Sequence, residues 1–261
     1  MSVLDDIYAN KRIEVGRQEK VVPITLMRSA AESSRSPLDF RAALKKPAMT
    51  RPRLIAEVKK ASPSRGLLLQ DFDPVRLARI YQENGASAIS VLTDRRYFQG
   101  SLEDLAAVAA LEPGLPVLRK DFIFSPYQVY EARASGASAV LLIVAMLEPG
   151  LLADLFVLAR SLNLSVLVET HSLAEILTAL EIGADLVGVN NRNLKDLTVN
   201  METTFQVRAY VPPSVCMVAE SGIHTREDVD RLQEIGIDAI LVGEALVTAP
   251  DIPAKVRSLA L

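Results

Sequence analysis

Gly136-Ala137-Ser138-Ala139-Val140-Leu141-Leu142-Ile143-Val144 carries the end of one element and the whole of the next. The glycine sits where a helix ends on a left-handed residue, and the apolar run behind it has the length of a buried strand. The same phrase returns as Gly85-Ala86-Ser87-Ala88-Ile89, Gly183-Ala184-Asp185-Leu186-Val187 and Gly236-Ile237-Asp238-Ala239-Ile240. The recurrence is roughly every 50 residues, about twice the length of one strand–helix unit. A second strand therefore belongs in each interval, and Leu54–Val58, Pro116–Leu118, Ser165–Val168 and Val215–Ala219 are the apolar runs that fill them. Ser101 with Asp104, Ser125 before Pro126, Ser172 with Glu175 and Thr225 with Asp228 read as helix N-caps between the strands. Near-continuous apolar strands alternating with helices imply a parallel sheet covered on its outside. Eight such units in roughly 200 residues predict an α/β fold, a closed (β/α)8 (TIM) barrel. An open doubly wound sheet is the competing arrangement, and the missing glycine-rich fingerprint after the first strand counts against it.

Ahead of the first strand, Val3, Leu4, Ile7 and Ile13 recur at helical spacing, and Asp39 to Lys46 predicts a short helix stopped by Pro47. This is too little for a domain. The expectation is one barrel domain over residues 1–261, with 1–50 as an N-terminal helical extension packed as a lid or plug. Of the 261 residues 49% are hydrophobic, enough for a large core. The 29 basic and 32 acidic residues nearly balance, and no basic cluster is interleaved with aromatics, which argues against nucleic acid as a partner. The single cysteine, Cys216, excludes an internal disulfide and suits a reducing compartment. No apolar signal core or bilayer-length run occurs, so a cytoplasmic protein without a membrane partner is expected. With only His171 and His224 and no Cys or His cluster, neither a metal nor a cofactor is expected.

In such a barrel the chemistry lies where strands give way to loops. The first strand runs into Glu57-Val58-Lys59-Lys60-Ala61-Ser62-Pro63-Ser64-Arg65-Gly66. Residues two apart share a face, so Ile55, Glu57 and Lys59 point together, either into a barrel mouth or, at the end of an edge strand, into solvent. Thr93-Asp94, Lys120, Glu169, Asn190 with Arg192, Glu220-Ser221-Gly222 and Gly243-Glu244 stand at later strand ends, whereas the fourth ends apolar at Leu141–Val144. Acids, bases and amides placed directly behind apolar runs at most strand ends are more than solvated loops supply. The glycines at the seventh and eighth ends suit a phosphate held on backbone N–H groups, or merely turn the chain. Phe98 and Phe122 either stack on an aromatic ligand or pack within their loops. His171, following Glu169-Thr170, could reach the mouth, although a loop histidine is more often solvated, and Cys216 is expected in the core.

The stretch Leu54–Leu68, with Glu57, Lys59, Ser62, Pro63 and Ser64, closely resembles the signature of the indole-3-glycerol-phosphate synthase family of tryptophan biosynthesis. The likeness continues through Ser90–Thr93, Tyr97–Ser101, Leu118–Phe122, Val168-Glu169, Gly188–Arg192, Glu220–Ile223 and Val242-Gly243, and reaches Leu4–Ile7 and Lys11-Arg12 near the N-terminus. The resemblance implies conversion of 1-(2-carboxyphenylamino)-1-deoxyribulose 5-phosphate, a small phosphorylated anthranilate-derived substrate, to indole-3-glycerol phosphate. It implies that Lys120 is the general acid, Glu169 the acid/base partner for dehydration and Lys59 the holder of the anthranilate carboxylate, with Glu57, Asn190 and Glu220 orienting them. Ser62, Ser221, Gly222, Gly243 and the backbone of Glu244 would bind phosphate, the Glu244 carboxylate having to point away from a dianion. Phe98, Phe122, Pro63 and Leu141 would form the slot for the aryl ring, and Arg192 would close over the ligand. Two lysines in one apolar pocket depress each other's pKa, while Glu57 and Glu169 act the other way, so Lys120 is expected to stay protonated. Another phosphate-binding barrel, such as phosphoribosylanthranilate isomerase or a tryptophan synthase α-like protein, would lack the Glu-x-Lys-x-x-Ser-Pro-Ser stretch. A catalytically silent ligand-binding barrel would have lost one of Lys59, Lys120 or Glu169. Association with other enzymes of tryptophan biosynthesis is left open by the residues.

Overall fold

Gly85, Gly136, Gly183 and Gly236 adopt φ of +107°, +86°, +82° and +74° and end four helices as the repeat predicts, in a region that a Cβ disfavours. The structure, a computed structural model, describes residues 3–47, 50–193 and 197–261. Among them eight parallel strands close into a barrel: β1 Arg53–Val58, β2 Ala88–Leu92, β3 Val117–Lys120, β4 Ala139–Ile143, β5 Ser165–Thr170, β6 Leu186–Asn190, β7 Cys216–Glu220 and β8 Ala239–Val242. Closure runs through β1 and β8, with Ile55 opposite Leu241 and, on the other side, Ala88 of β2. Three helices precede the barrel, α1 Val3–Val21, α2 Ile24–Ser33 and α3 Phe40–Ala43. The principal helices around it are α4 Pro74–Glu83, α5 Leu102–Ala109, α6 Pro126–Ala134, α7 Pro149–Ser161, α8 Leu173–Glu181, α9 Glu202–Val207, α10 Arg226–Glu234 and α11 Ile252–Ala260. Ser101, Ser125, Ser172 and Thr225 each accept a backbone N–H at the start of α5, α6, α8 and α10, satisfying donors that the first helical turn leaves free.

Strand alternation sorts the core into two shells. Leu54, Ala56 and Val58 pack outward against the helices, while Ile55, Leu118, Leu141, Leu167, Val218 and Leu241 fill the barrel. Three strands run further than their apolar stretches predict: Lys120 pairs with Leu92, Glu169 with Ile143 and Glu220 with Asn190. The charged residues lie inside the ladder because their side chains neutralise one another at the barrel mouth.

The N-terminal helices work at both ends of the barrel. Phe40 and Leu44 are fully buried with the interior side chains near the starts of the strands, Ala88, Ala139, Leu186 and Ala239. α3 is shorter than the predicted helix, and Asp39 caps it by accepting the Ala42 N–H. On α1 the expected stripe is partly misplaced: Ile13 is 57% exposed, and the buried row is Ile7, Lys11 and Val15. The side chain of Val3 lies outside the described residues. Lys11, 1% exposed, forms ion pairs with Asp94 at 2.8 Å and Asp121 at 3.0 Å, both buried, and so fastens α1 beside the ends of β2 and β3. Burial favours the neutral forms, but Arg119 and Lys11 outweigh it and hold Asp121 at about 2, while the two aspartates keep Lys11 above the usual lysine range. This network contributes stability fully present above about pH 4 and lost as pH falls toward 2, the side on which the unfolded chain binds the proton more tightly. Lys11→Ala strands two buried carboxylates and is expected to cost about 3–5 kcal/mol in urea unfolding; a loss under 1 kcal/mol would show that water replaces the ammonium.

Candidate active site

A cavity of about 430 Å³ opens at the carboxyl ends of the strands. At its floor Lys120 Nζ, ending β3, donates to Glu169 Oε2 of β5 at 2.6 Å and to Glu220 Oε2 of β7 at 2.9 Å. Asn190 Nδ2, ending β6, donates to Glu169 Oε1 at 3.1 Å. Across the barrel Lys59 Nζ meets Glu57 Oε1 at 2.5 Å, and the Tyr81 hydroxyl of α4 braces β1 from outside by donating to the Glu57 carbonyl at 3.2 Å. Burial works against the charge on Lys120, but Glu169 and Glu220 outweigh it and hold its pKa well above the usual lysine value. Glu169 is pressed toward its neutral form by burial, yet Lys120 and His171 keep it well below the usual carboxylate range. Glu220 goes the other way, since burial and the facing Glu169 push it up to about 7 against the pull of Lys120. Two carboxylates around one ammonium thus divide into one held ionised and one pushed toward its neutral form.

Two glycines make room for these acids. A Cβ on Gly188 of β6 would overlap Glu220 Oε1, and one on Gly243 would overlap Glu57 Oε1. Glu220 Oε1 is buried without a hydrogen-bond partner, held in the space that Gly188 leaves. Gly188→Ala is therefore expected to retain the fold, since the obstructed atom is a side-chain tip, while pushing Glu220 off Lys120. A displacement on the order of 1 Å can cost about 100-fold in kcat; wild-type kcat with a folded variant would show that the Glu220 position is not needed.

The apolar wall is formed by Phe98, Phe122, Pro63 and Leu141. Phe98 and Phe122 lie with ring centroids 6.2 Å apart, and Lys59 Nζ stands 6.0 Å from the Phe98 centroid. Asp94 caps the short helix Arg95–Phe98, and Gln128 donates to the Phe122 carbonyl, so each ring rides on a fixed turn. Ser62, Ser221, Gly222, Gly243 and Glu244 also line the cavity. Ser221 and Gly222 take consecutive left-handed backbones, φ +66° and +81°, bending the chain sharply after β7. The Glu244 carboxylate is drawn to Arg65 Nη1 at 3.1 Å. Arg192 lines the cavity, and its Nη1 donates to the Leu197 carbonyl within its own loop.

Every residue singled out in the sequence as catalytic or substrate-binding therefore lines this one cavity. Four residues contribute beyond those assigned a role from the sequence. Arg65 follows the Ser-Pro-Ser turn and carries the cationic guanidinium that an anion site needs. Leu4 and Ile7 bring α1 to the rim. His171, which the sequence left between the mouth and solvent, is 12% exposed and contacts Glu169. Among the described residues, no group of three His, Cys, Asp or Glu side chains is arranged to hold a metal ion, and no helix is long and apolar enough to cross a membrane. Cys216 is only partly buried, and desolvation pushes its thiol up to about 12.

A closed parallel barrel whose lysines and glutamates converge at the carboxyl ends of the strands defines a (β/α)8-barrel enzyme equipped for acid–base chemistry. Thiamine phosphate pyrophosphorylase from Pyrococcus furiosus has a similar fold, with TM-score 0.62 and 22% identity over 81% of this chain and 95% of that one. So does 3-hexulose-6-phosphate synthase from Salmonella typhimurium, with TM-score 0.61 and 13% identity over 80% and 96%. The family model for indole-3-glycerol phosphate synthase matches residues 4–259. The indole-3-glycerol phosphate synthase of Roseiflexus sp. (strain RS-1) is 52% identical, covering 99% of this chain and 98% of that protein. That of Dehalococcoides mccartyi (strain CBDB1) is 46% identical over 98% and 99%. The chain belongs to the indole-3-glycerol phosphate synthase family and is a carboxy-lyase.

Proposed function

We propose that this cavity converts 1-(2-carboxyphenylamino)-1-deoxyribulose 5-phosphate to indole-3-glycerol phosphate, carbon dioxide and water, with Lys120 as general acid. The ring carbon bearing the carboxylate attacks the ketone, and the developing oxyanion takes a proton from Lys120. Carbon dioxide then leaves from that ring carbon and its bonding pair restores the aromatic ring. In the last stage Glu169 takes a proton from the methylene beside nitrogen and returns it to the departing hydroxyl, forming water. One proton is consumed overall and is restored to Lys120 from solvent. General acid–base help of this kind contributes about 10²–10⁴ in rate.

Lys59, held by Glu57 and near Phe98, would bind the substrate carboxylate until it is lost, with the aryl ring between Phe98, Phe122, Pro63 and Leu141. Ser62, Ser221, Gly222, Gly243 and the Glu244 backbone would hold the phosphate, aided by Arg65, and Arg192 would cover it. Asn190 and Glu220 would orient Glu169 and Lys120. The observation that carries this reading is Lys120 Nζ bonded to both Glu169 and Glu220 in the cavity that also contains Lys59. Appearance of indole fluorescence on adding the anthranilate-derived substrate tests it; no turnover with correctly folded enzyme would end the proposal. We also read the chain as one barrel unit with residues 1–50 as its extension, on the strength of Phe40 and Leu44 inside it. A reducing, cytoplasmic setting rests on the lone Cys216.

A further inference from the structure

We propose that His171 is a positioning residue, an imidazolium that bridges Glu169 and Glu175 and presents the Glu169 carboxylate to Lys120. The inference rests on the reading of Glu169 given above. His171 directly follows β5, and its Nε2 lies 3.4 Å from Glu169 Oε1. Its Nδ1 lies 3.2 Å from Glu175 Oε2, which also accepts the His171 backbone N–H at 2.8 Å. Glu175 is itself fixed in the first turn of α8, where its N–H is taken by the Ser172 hydroxyl. The ring is therefore clamped from behind by one carboxylate and aimed at another.

The approach to Glu169 is an ionic contact and not a hydrogen bond: Nε2 is shut off from solvent and has no hydrogen-bond partner. A neutral ring would find little reason to stay there, whereas an imidazolium between two carboxylates is stabilised on both sides. Burial opposes that charge, but Glu169 and Glu175 outweigh it and raise the ring to about 10. The charged groups facing it are Glu169 from β5 and Glu175 from α8, with Lys120 of β3 and Glu220 of β7 behind Glu169. The one-turn helix Val144–Met146 packed against α8 adds only apolar side chains. Because His171 does not line the cavity, it acts through Glu169. Glu169 Oε2 is thereby left to Lys120, while Oε1 is held between Asn190 and His171.

The test compares His171→Ala and His171→Gln with the wild type. Removing the cation raises the pKa of Glu169, which starts well below the usual carboxylate range, so Glu169 stays ionised at neutral pH and the loss is expected in the height of kcat and not in its pH profile. His171→Ala is expected to lose about tenfold in kcat at pH 7.5 with KM within threefold, and His171→Gln to recover part of kcat. The chain has two histidines, so the imidazole resonance absent from His171→Gln identifies this ring by NMR. In the substrate-free enzyme it is expected to remain an imidazolium at pH 8 and to titrate lower in Glu169→Gln. Wild-type kcat in a folded His171→Ala, or a ring titrating near 6.5 in the wild type, overturns the proposal. The NMR result stands apart from turnover, so failure of the proposed reaction and failure of this pairing are distinguishable.

Discussion

Replacing Lys120 by Ala is expected to lower kcat by about 10³- to 10⁴-fold while leaving substrate affinity within tenfold. The size follows from what the ammonium does at ring closure. An arene is a weak nucleophile, and its attack places negative charge on a ketone oxygen inside a cavity shielded from water, where a cation is worth far more than in bulk. Lys120 is held protonated by Glu169 and Glu220, which outweigh the burial that would discharge it. Without it the two glutamates face each other, and one takes up a proton, so the barrel survives the loss. The carboxylate and phosphate of the substrate would still meet Lys59 and the backbone groups near Gly222. Single-turnover indole formation together with equilibrium binding of the substrate measures both quantities. Equal loss of turnover and affinity would make Lys120 an anchor and not the acid.

Glu169→Gln is expected to cost about 10²- to 10⁴-fold in kcat, and to do so at a different stage. The amide keeps an oxygen for Lys120 but cannot take the methylene proton, so ring closure and decarboxylation proceed while dehydration stalls. Rapid-quench measurement should detect about one equivalent of carbon dioxide per active site before indole fluorescence rises. If the two signals fall together, Glu169 serves the first stage, and the division of roles between it and Lys120 must be redrawn.

Much of this site was legible because the barrel's logic puts polar residues directly behind apolar runs, as at Val168-Glu169 and Ala219-Glu220. The boundaries were less so, since Lys120, Glu169 and Glu220 lie within the ladder and not beyond it. The buried partners of Lys11 were hidden for a related reason. A lysine in a helical stripe reads as surface, and only the folded chain reveals Asp94 and Asp121 waiting for it. Gly188 looked like one more small residue in a strand until Glu220, arriving from β7, claimed its space. His171 reads as a loop residue because nothing local shows that its ring turns back under Glu169. The glycines proposed for phosphate were placed at the cavity by the sequence, yet Gly243 proves also to seat Glu57, a demand set by a strand at the opposite end of the chain.

That seat has a consequence for biosynthesis. β1 leaves the ribosome early, but its outer flank stays unpaired until β8, Ala239–Val242, has been translated. Until then Glu57 has no berth, and a truncated nascent polypeptide would expose two raw sheet edges of the kind that recruit other chains. A messenger cut short before β8 should thus yield insoluble, inert material instead of a weakened enzyme.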